Sequence, residues 1–326
     1  MKIPHTYTYT EKLKALVIFK KPNDIIYDEP YLADVEYLSI DNAYEYNIDL
    51  SFFPNVKKLS IFTKNEYKIP DNIVVLKNLN ELNTVCILPD NIHLLNELEH
   101  LTLGGDAIFK VPDTIADSSV KSLVIGYYDK DYQPVPTPEF IYRMRNLENL
   151  EFRLCKFNFV NDEINNLENL KSLKFNCSTT DIENFPDISG LTNLKELRIR
   201  GENVQGQKRP KYSLFKEILE RIVKLPQLEI LDIGGWYPKN KKERLESDAD
   251  KNSIPDIFDK FPNLKQLSIH WMKLDYLPST IYRMNFLEEL NITHNYISGQ
   301  EIDSLSRSLP NTKIVGTGFN KSRFEN

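Results

Sequence analysis

The sequence has few of the residues that build disulfide frameworks and metal centres. Its 326 residues include three cysteines and five histidines. Cys86, Cys155 and Cys177 stand far apart, are odd in number and lack the CxxC spacing of a zinc site. This usage predicts no metal and no disulfide framework, and it favours a reducing compartment.

The sequence also lacks long hydrophobic runs. No stretch approaches the roughly 20 apolar residues that a membrane-spanning helix needs. The first ten residues, MKIPHTYTYT, are polar and aromatic, unlike the basic and then apolar start of a secretory signal. We therefore expect a cytoplasmic protein without membrane contact, although secretion by a route that uses no such signal stays open.

Positive charge and catalytic motifs are likewise scarce. The net charge is -6 at pH 7, whereas a general nucleic-acid binder needs a basic surface, so no nucleic-acid partner is expected. The sequence contains no phosphate-binding GxxxxGK[ST] loop, no GxGxxG, no HExxH and no GxSxG. We expect neither an enzyme nor a cofactor.

What the sequence does contain is a repeat of the form apolar-x-x-Leu-x-apolar. Most repeats begin 19 to 27 residues after the previous one, and two steps of 34 and 36 residues mark insertions. The two inner apolar residues are two apart, so they point to one side of a strand, and stacking the strands in parallel buries that side. The repeats begin at Leu13, Val35, Val56, Leu79, Leu98, Val120, Leu147, Leu170, Leu194, Leu228, Leu264 and Leu287. A degenerate thirteenth repeat lies around Thr312–Thr317.

A second motif links several repeats. It consists of an apolar residue, a proline, two polar residues and an isoleucine, as in Ile69–Ile73 and Leu277–Ile281. Proline suits an irregular return segment because it lacks an N–H for a strand ladder. The Asp or Ser after the proline is expected to cap a short helical turn.

With these motifs the chain resembles the leucine-rich-repeat family, in particular its short-repeat kind with LPxxI return segments. That kind is common among bacterial proteins and intracellular signalling scaffolds. The resemblance implies an α/β solenoid, a horseshoe or arc with a concave parallel β-sheet and short 3₁₀, helical or extended convex segments. It also implies protein binding as the commonest use. We expect an N-terminal cap at 1–12, a solenoid of twelve to thirteen repeats at 13–317 and a tail at 318–326.

One departure from the family pattern concerns asparagine. The family places Asn eight residues after the first apolar position, where its side chain ties neighbouring turns together. Here only Asn295 fits fully, and Met272 and Trp236 occupy that position in the two preceding repeats. We therefore predict a weak asparagine ladder.

Two insertions interrupt the repeat, at 201–226 and 234–253. In the first, Leu214, Ile218, Ile222 and Leu225 recur at helical spacing, so we predict a helix packed on the core with Ser213 as its N-cap. The second is charged and lacks periodicity, which is typical of a loop.

The repeat register also identifies side chains on the predicted concave face, at the third, fifth, seventh and eighth positions. A group of cations lies there beside aromatic residues, which are enriched in interface hot spots. On an acidic protein this group favours a partner with an acidic segment, although ordinary solvated side chains, neutralised by Glu151 and Glu196, are the alternative. The predicted partner-binding residues are Arg153, Lys174, Arg198, Arg200, Asp232, Trp236, Tyr237, His270, Trp271 and His294.

Two further expectations concern chemistry on this face. His270 and His294 are 24 residues apart, about one repeat, so they could lie side by side on adjacent strands, with Asp232 or Glu289 as a third group. Cys86 falls at a strand end on the same side. Our main expectation is still a binding module without enzymatic activity. The alternatives are an effector or inhibitor that blocks an enzyme or host protein and, less favoured, an enzyme or metal site on the concave face.

Overall fold

The protein folds into stacked repeats in a computed structural model that describes the greater part of the chain. The described residues are 7–18, 29–41, 49–63, 66–127, 135–153, 157–158, 162–176, 185–200, 212–235, 254–272 and 274–316. They divide into two compact units. The first unit is Met1–Tyr128 with Pro138–Leu150, and the second is Asp129–Thr137 with Glu151–Asn326.

Each repeat contributes one short strand. The strands are β1 (Tyr7–Thr10), β2 (Ala15–Ile18), β3 (Tyr37–Asp41), β4 (Lys58–Phe62), β5 (Glu81–Thr84), β6 (His100–Gly104), β7 (Ser122–Gly126), β8 (Val135–Pro136), β9 (Asn149–Arg153), β10 (Phe157–Asn158), β11 (Ser172–Asn176), β12 (Glu196–Ile199), β13 (Ile230–Asp232), β14 (Gln266–Ser268), β15 (Glu289–Asn291) and β16 (Lys313–Val315). All except β8 and β10 follow one another in chain order in a single sheet, while β8 and β10 form a separate parallel pair.

The strand pairing follows the predicted repeat. β1 runs antiparallel to β2 and forms the expected extra strand at the N-terminal end. The following pairs with a described register are parallel, and in the second unit the central leucines of successive repeats face one another. Leu173, Leu197 and Leu231 are all fully buried, which confirms the prediction that they form the core.

The other side of the sheet, which we call the open face, carries the third and fifth positions of each repeat. Lys174 lies opposite Arg198, and Arg198 lies opposite Asp232. Neighbouring parallel strands are about 4.8 Å apart, so side chains at these positions come within reach of one another. The register therefore gathers polar groups that are far apart in sequence.

The return segments consist mainly of short helical turns. The 3₁₀ turns are Glu11–Leu13, Pro30–Asp34, Leu50–Phe52, Asp71–Val75, Ile92–Leu94, Gly105–Phe109, Asp113–Asp117, Asp162–Asn166, Phe258–Lys260 and Ser279–Arg283. The α-helices are α1 (Phe140–Arg143), α2 (Tyr212–Ile222) and α3 (Gly299–Ser308). This architecture, a mostly parallel sheet with short 3₁₀ and helical segments, confirms the predicted fold class.

The capping expected within the proline motif is wrong. The turns that follow Pro70 and Pro112 have no side-chain cap. At Ser279–Arg283 the cap comes from the preceding repeat, where Asp256 accepts hydrogen bonds from the Thr280 amide and the Ser279 hydroxyl, both at 2.7 Å. The carboxylate of one repeat thus fixes the turn of the next.

Asparagine side chains tie the return segments together at a position that differs from the expected one. The asparagine directly before the first apolar residue of a repeat donates its Nδ2 to a backbone carbonyl one repeat earlier. The five pairs, 2.7–3.1 Å long, are Asn55 to Ala33, Asn78 to Pro54, Asn146 to Ser118, Asn193 to Glu168 and Asn263 to Pro226. Asn295 fills the expected position, is buried and makes four hydrogen bonds, to Ile269, Met272, Leu274 and Ile292.

The first insertion contains the predicted helix. α2 buries Ile218 and Ile222, and Leu225 just after the helix is buried as well. The helix begins at Tyr212, so Ser213 lies inside its first turn and is not the residue before it. Residues 201–211 and 236–253 lie outside the described residues, as does the predicted tail. Among the described helices, none is long and apolar enough to cross a bilayer.

Candidate functional site

The predicted cations of the second unit lie in a network of ion pairs on the open face. Glu196 is its first centre. Its carboxylate accepts from the Lys174 ammonium at 2.9 Å, from the Ser172 hydroxyl at 2.7 Å and from the Arg198 Nε at 2.5 Å. Burial raises the pKa of Glu196, but these hydrogen bonds lower it by more, so its pKa is below the ordinary value.

Asp232 is the second centre of the network. Its side chain is only 3% exposed, and its Oδ2 accepts from the Arg200 Nε at 2.7 Å and Nη2 at 2.6 Å, with the Arg198 guanidinium 3.8 Å away. Its Oδ1 accepts from the Gly234 amide at 3.1 Å. Asp232 therefore holds two arginines of a neighbouring strand in place, and Arg198 bridges the two carboxylates.

A third carboxylate lies one strand earlier in the chain. Glu151 accepts a hydrogen bond from the Arg153 Nε and another from the Asn176 Nδ2, the second at 2.9 Å. Burial raises the pKa of Glu151, and the two hydrogen bonds lower it to a value below the ordinary one. Arg153 is itself more than half exposed, so it is the outermost cation of the group.

The charges of this region nearly balance. Four cations, Arg153, Lys174, Arg198 and Arg200, face the three carboxylates Glu151, Glu196 and Asp232. Sequence reasoning identified Glu151 and Glu196 as counterions but treated Asp232 as a binding residue. The structure gives Asp232 a structural role, because a carboxylate so deeply buried is stabilised by its ion pairs.

His270 packs against Asp232 over a glycine. The His270 Nδ1 lies 2.8 Å from the Ser268 Oγ and 3.6 Å from the Asp232 Oδ1. A Cβ on Gly234 would approach the same nitrogen to 2.2 Å, so only glycine leaves space for the ring. Since hydroxyl and carboxylate face one nitrogen, these three groups do not form a relay in which a histidine joins a nucleophile to an acid.

Trp271 and His294 form a stacked pair at the ends of their strands, which we call the aromatic pair. Their ring centroids are 3.9 Å apart, with an interplanar angle of 21°. Both residues have left-handed backbone conformations, with φ of 52° and 59°, which are uncommon for residues other than glycine. Trp271 is 45% exposed, so the pair presents an aromatic surface to solvent.

The expected pairing of the two histidines is wrong by one residue. Ser268 lies opposite Asn291, so continuing this register places Trp271, and not His270, opposite His294. The cause is the repeat length, because Leu264 and Leu287 are 23 residues apart whereas the histidines are 24 apart. His270 instead packs against Asp232, one strand away on the other side.

The remaining sequence candidates differ in their outcome. Trp236 and Tyr237, and the cysteines Cys155 and Cys177, lie outside the described residues. Cys86 is fully buried and not on the open face, and burial raises the pKa of its thiol. Within the part of the chain that the structure describes, no group of three or more His, Cys, Asp or Glu side chains is placed to hold a metal ion.

Sequence comparison finds distant relatives. No family model matches the chain. The human volume-regulated anion channel subunit LRRC8B is 26% identical over 236 residues, which are 67% of this chain and 26% of that protein. The mouse protein of the same name is 26% identical over 227 residues. The chain thus spans about a quarter of the length of the curated relatives it matches.

Comparison of structures agrees with the repeat. A chain of the Drosophila Toll–Spatzle complex has a TM-score of 0.57 and 16% identity, with 96% of this chain and 44% of that chain covered. An internalin from Listeria monocytogenes covers 95% of this chain and 88% of that chain, with a TM-score of 0.48 and 17% identity. The repeated leucines and the parallel sheet that they build identify this chain as a leucine-rich-repeat protein.

Proposed function

We propose that the chain binds a protein partner through the open face of its second unit, and that the partner presents an acidic segment there. The observation that carries this proposal is the position of the cations beside an exposed aromatic surface. Arg200 is fixed on Asp232, His270 packs on the same carboxylate, and Trp271 follows His270 directly. The ion-pair network and the aromatic pair therefore adjoin.

The network favours an anionic ligand even though it is internally paired. The four cations exceed the three carboxylates by one charge. An arginine has five N–H donors, and Asp232 engages only the Nε and Nη2 groups of Arg200. Because Arg198 and Arg200 are already held by carboxylates, a partner loses little side-chain entropy in binding them.

The aromatic pair supplies apolar area next to this charge. Tryptophan and arginine are enriched among the residues that dominate binding energy. The left-handed backbone at both members of the pair is a strained conformation, of the kind that clusters at ligand-binding sites. The Toll–Spatzle structure is a complex of two proteins, and the use of this fold for protein binding here is part of the proposal.

Selection of peptides on the intact protein tests the proposal. We would select binders from a display library of random peptides and measure their affinities by fluorescence anisotropy. The enriched peptides should carry Asp or Glu together with an aromatic residue. Trp271→Ala should weaken their binding by about thirtyfold, the effect of losing a hot-spot residue of about 2 kcal/mol. Arg153→Gln should weaken it by about threefold and reduce its salt dependence.

The choice of variants follows from the network. Substituting Arg198 or Arg200 would leave Asp232 buried without its partner, so loss of binding could reflect loss of structure. Arg153 is exposed and avoids this problem. Lys265→Gln is the matched control, since Lys265 is an exposed, ion-paired cation of the same unit at the sheet edge. The proposal fails if the selected peptides carry no acidic residues, or if Trp271→Ala binds them as tightly as the parent.

A further inference from the structure

The return segments of the first unit expose apolar side chains at one repeated position. This position lies four residues before the first apolar residue of each repeat. Phe52 is 36% exposed, Val75 37% and Leu94 49%. Tyr31, Phe52, Val75, Leu94 and Ala116 occupy the position in five successive repeats, and we call them the outer stripe.

The turns that carry the outer stripe are neighbours. Leu50–Phe52 contacts Asp71–Val75, which contacts Ile92–Leu94, which in turn contacts Asp113–Asp117. Each of the last three turns buries its isoleucine, Ile73, Ile92 or Ile115, in the core. The stripe residues project from the same turns but remain partly exposed, so they form a continuous apolar line on the outside of the first unit.

The fold itself does not require apolar residues at this position. In the second unit the same position holds polar, charged or glycine residues, namely Asn166, Gly190, Lys224, Lys260 and Arg283, and all five are exposed. The turn at Phe258–Lys260 forms with a lysine there. Five successive apolar residues in the first unit therefore stand in contrast to equivalent positions in the same chain, and contiguous exposed apolar surface often marks an interaction site.

Carboxylates border the outer stripe along its length. The acidic residues on its turns and their ends are Glu29, Asp34, Asp49, Asp71, Asp90, Glu97, Asp113 and Asp117. Asp90 pairs with Lys68 and Asp113 with Arg143, while Lys77 is the basic residue on the same turns. The border is thus strongly negative, and an apolar line bordered by negative charge complements a segment with one apolar face and basic flanks.

We infer that the outer stripe is a second docking surface, which binds a basic amphipathic helix of a partner protein. Repeats are about 4.8 Å apart at the sheet, so five positions cover about 19 Å. A helix of about 13 residues spans that length, and its apolar face recurs every 5.4 Å or so. An anionic lipid surface would be repelled by the carboxylates, and so would a second copy of the same stripe.

Designed peptides test the inference on the full chain. The probe is a fluorescein-labelled peptide of about 18 lysines and leucines, with its leucines at helical spacing on one face. A second peptide has the same composition in an order that removes the apolar face, and a third carries glutamate in place of lysine. We expect the first peptide to bind at least about tenfold more tightly than the other two.

Variants then locate the bound peptide. Val75→Ser combined with Leu94→Ser should weaken binding of the first peptide about tenfold or more. Phe286→Ser is the matched control, because Phe286 is 44% exposed but lies in the second unit, and it should leave the affinity unchanged. Circular dichroism checks that all variants fold.

Several results would overturn the inference. Equal binding of the first two peptides would show that charge alone attracts them. Equal binding to the parent and the Val75/Leu94 variant would show that the stripe is not the surface. Sedimentation velocity provides a third: if the parent self-associates and the Val75/Leu94 variant does not, the stripe binds a second copy of the chain and not a basic helix.

Discussion

Asp232→Asn should destabilise the second unit by about 2 kcal/mol, even though asparagine preserves the shape of the side chain. The parent carboxylate is almost fully buried and accepts two bonds from Arg200 and one from the Gly234 amide. The amide oxygen of asparagine can still accept from Gly234, so no cavity forms and only the charge is lost. The substitution therefore isolates the ion pair.

The magnitude follows from two opposing effects. Removing one partner of a buried ion pair costs about 3 to 5 kcal/mol, and a hydrogen bond to a charged group contributes about 1.5 to 3 kcal/mol. Arg198 and Arg200 are each 29% exposed, so water can partly replace the lost carboxylate. The lower part of the range applies, which gives about 2 kcal/mol.

Denaturation in guanidinium chloride, followed by tryptophan fluorescence, measures this loss. Both tryptophans, at positions 236 and 271, belong to the second unit, so the signal reports the unit in question. Asp259→Asn is the matched control. Asp259 pairs with Arg283 in a more exposed setting, and an exposed pair contributes at most about 1 kcal/mol.

A double-mutant cycle with Arg200→Gln completes the test. If Asp232 and Arg200 stabilise each other, the double variant should be more stable than the sum of the single losses implies, by about 1 kcal/mol or more. Additive losses, or an Asp232→Asn variant within about 0.5 kcal/mol of the parent, would refute the assignment of Asp232 as the centre of the network.

Two further predictions concern the same unit. Leu197→Ala should cost about 2 to 5 kcal/mol, because Leu197 is fully buried between Leu173 and Leu231; a loss under about 0.5 kcal/mol by chemical denaturation would show that the register is wrong. Glu196→Gln should matter more at pH 7 than in acid. The folded-state pKa of Glu196 is below its ordinary value of 4.5, so its stabilising contribution is present above that value and is lost as the pH falls through the folded pKa. The stability difference between parent and variant should therefore shrink below about pH 4.5, and a difference independent of pH would contradict this account.

Sequence periodicity predicted the parts of the fold that repeat. Leucines two residues from a second apolar residue gave both the strand and its buried side, and from these came the burial of Leu173, Leu197 and Leu231. The alternating TYTYT segment gave the antiparallel strand β1. In these cases one local pattern determines which side chains face the core, and stacking then requires equivalent positions to meet.

The asparagines show where that reasoning was incomplete. It looked for them eight residues after the start of a repeat, where Asn295 alone fits. The signal was present elsewhere, because an asparagine directly precedes the first apolar residue in the repeats that begin at Val56, Leu79, Leu147, Leu194 and Leu264. A backbone carbonyl is available to such a side chain in every preceding turn, so this second ladder could have been found from the sequence.

The candidate site was less predictable because it depends on distances across insertions. Arg200 and Asp232 are 32 residues apart, and the first insertion separates them, so counting alone did not identify them as a pair. The two histidines failed for a similar reason, since a difference of one residue between 23 and 24 changes which side chains meet. Side-chain pairing across a sheet is sensitive to single-residue steps, whereas burial of the core tolerates them.

The two proposed surfaces are separable, and that follows from how the fold uses its residues. In a repeat, the core and the backbone hydrogen bonds occupy the inner positions, so third, fifth and return-segment positions can vary without loss of the fold. The open face of the second unit uses this freedom for cations and aromatic rings, and the turns of the first unit use it for apolar side chains bordered by acids. Trp271 and Arg153 belong to one surface and Val75 and Leu94 to the other, with no shared partner among their described contacts. Their effects should therefore be independent: Trp271→Ala should leave the basic peptide bound, and Val75→Ser with Leu94→Ser should leave the acidic peptides bound. If either variant abolished both activities in a folded protein, the two surfaces could not be distinct.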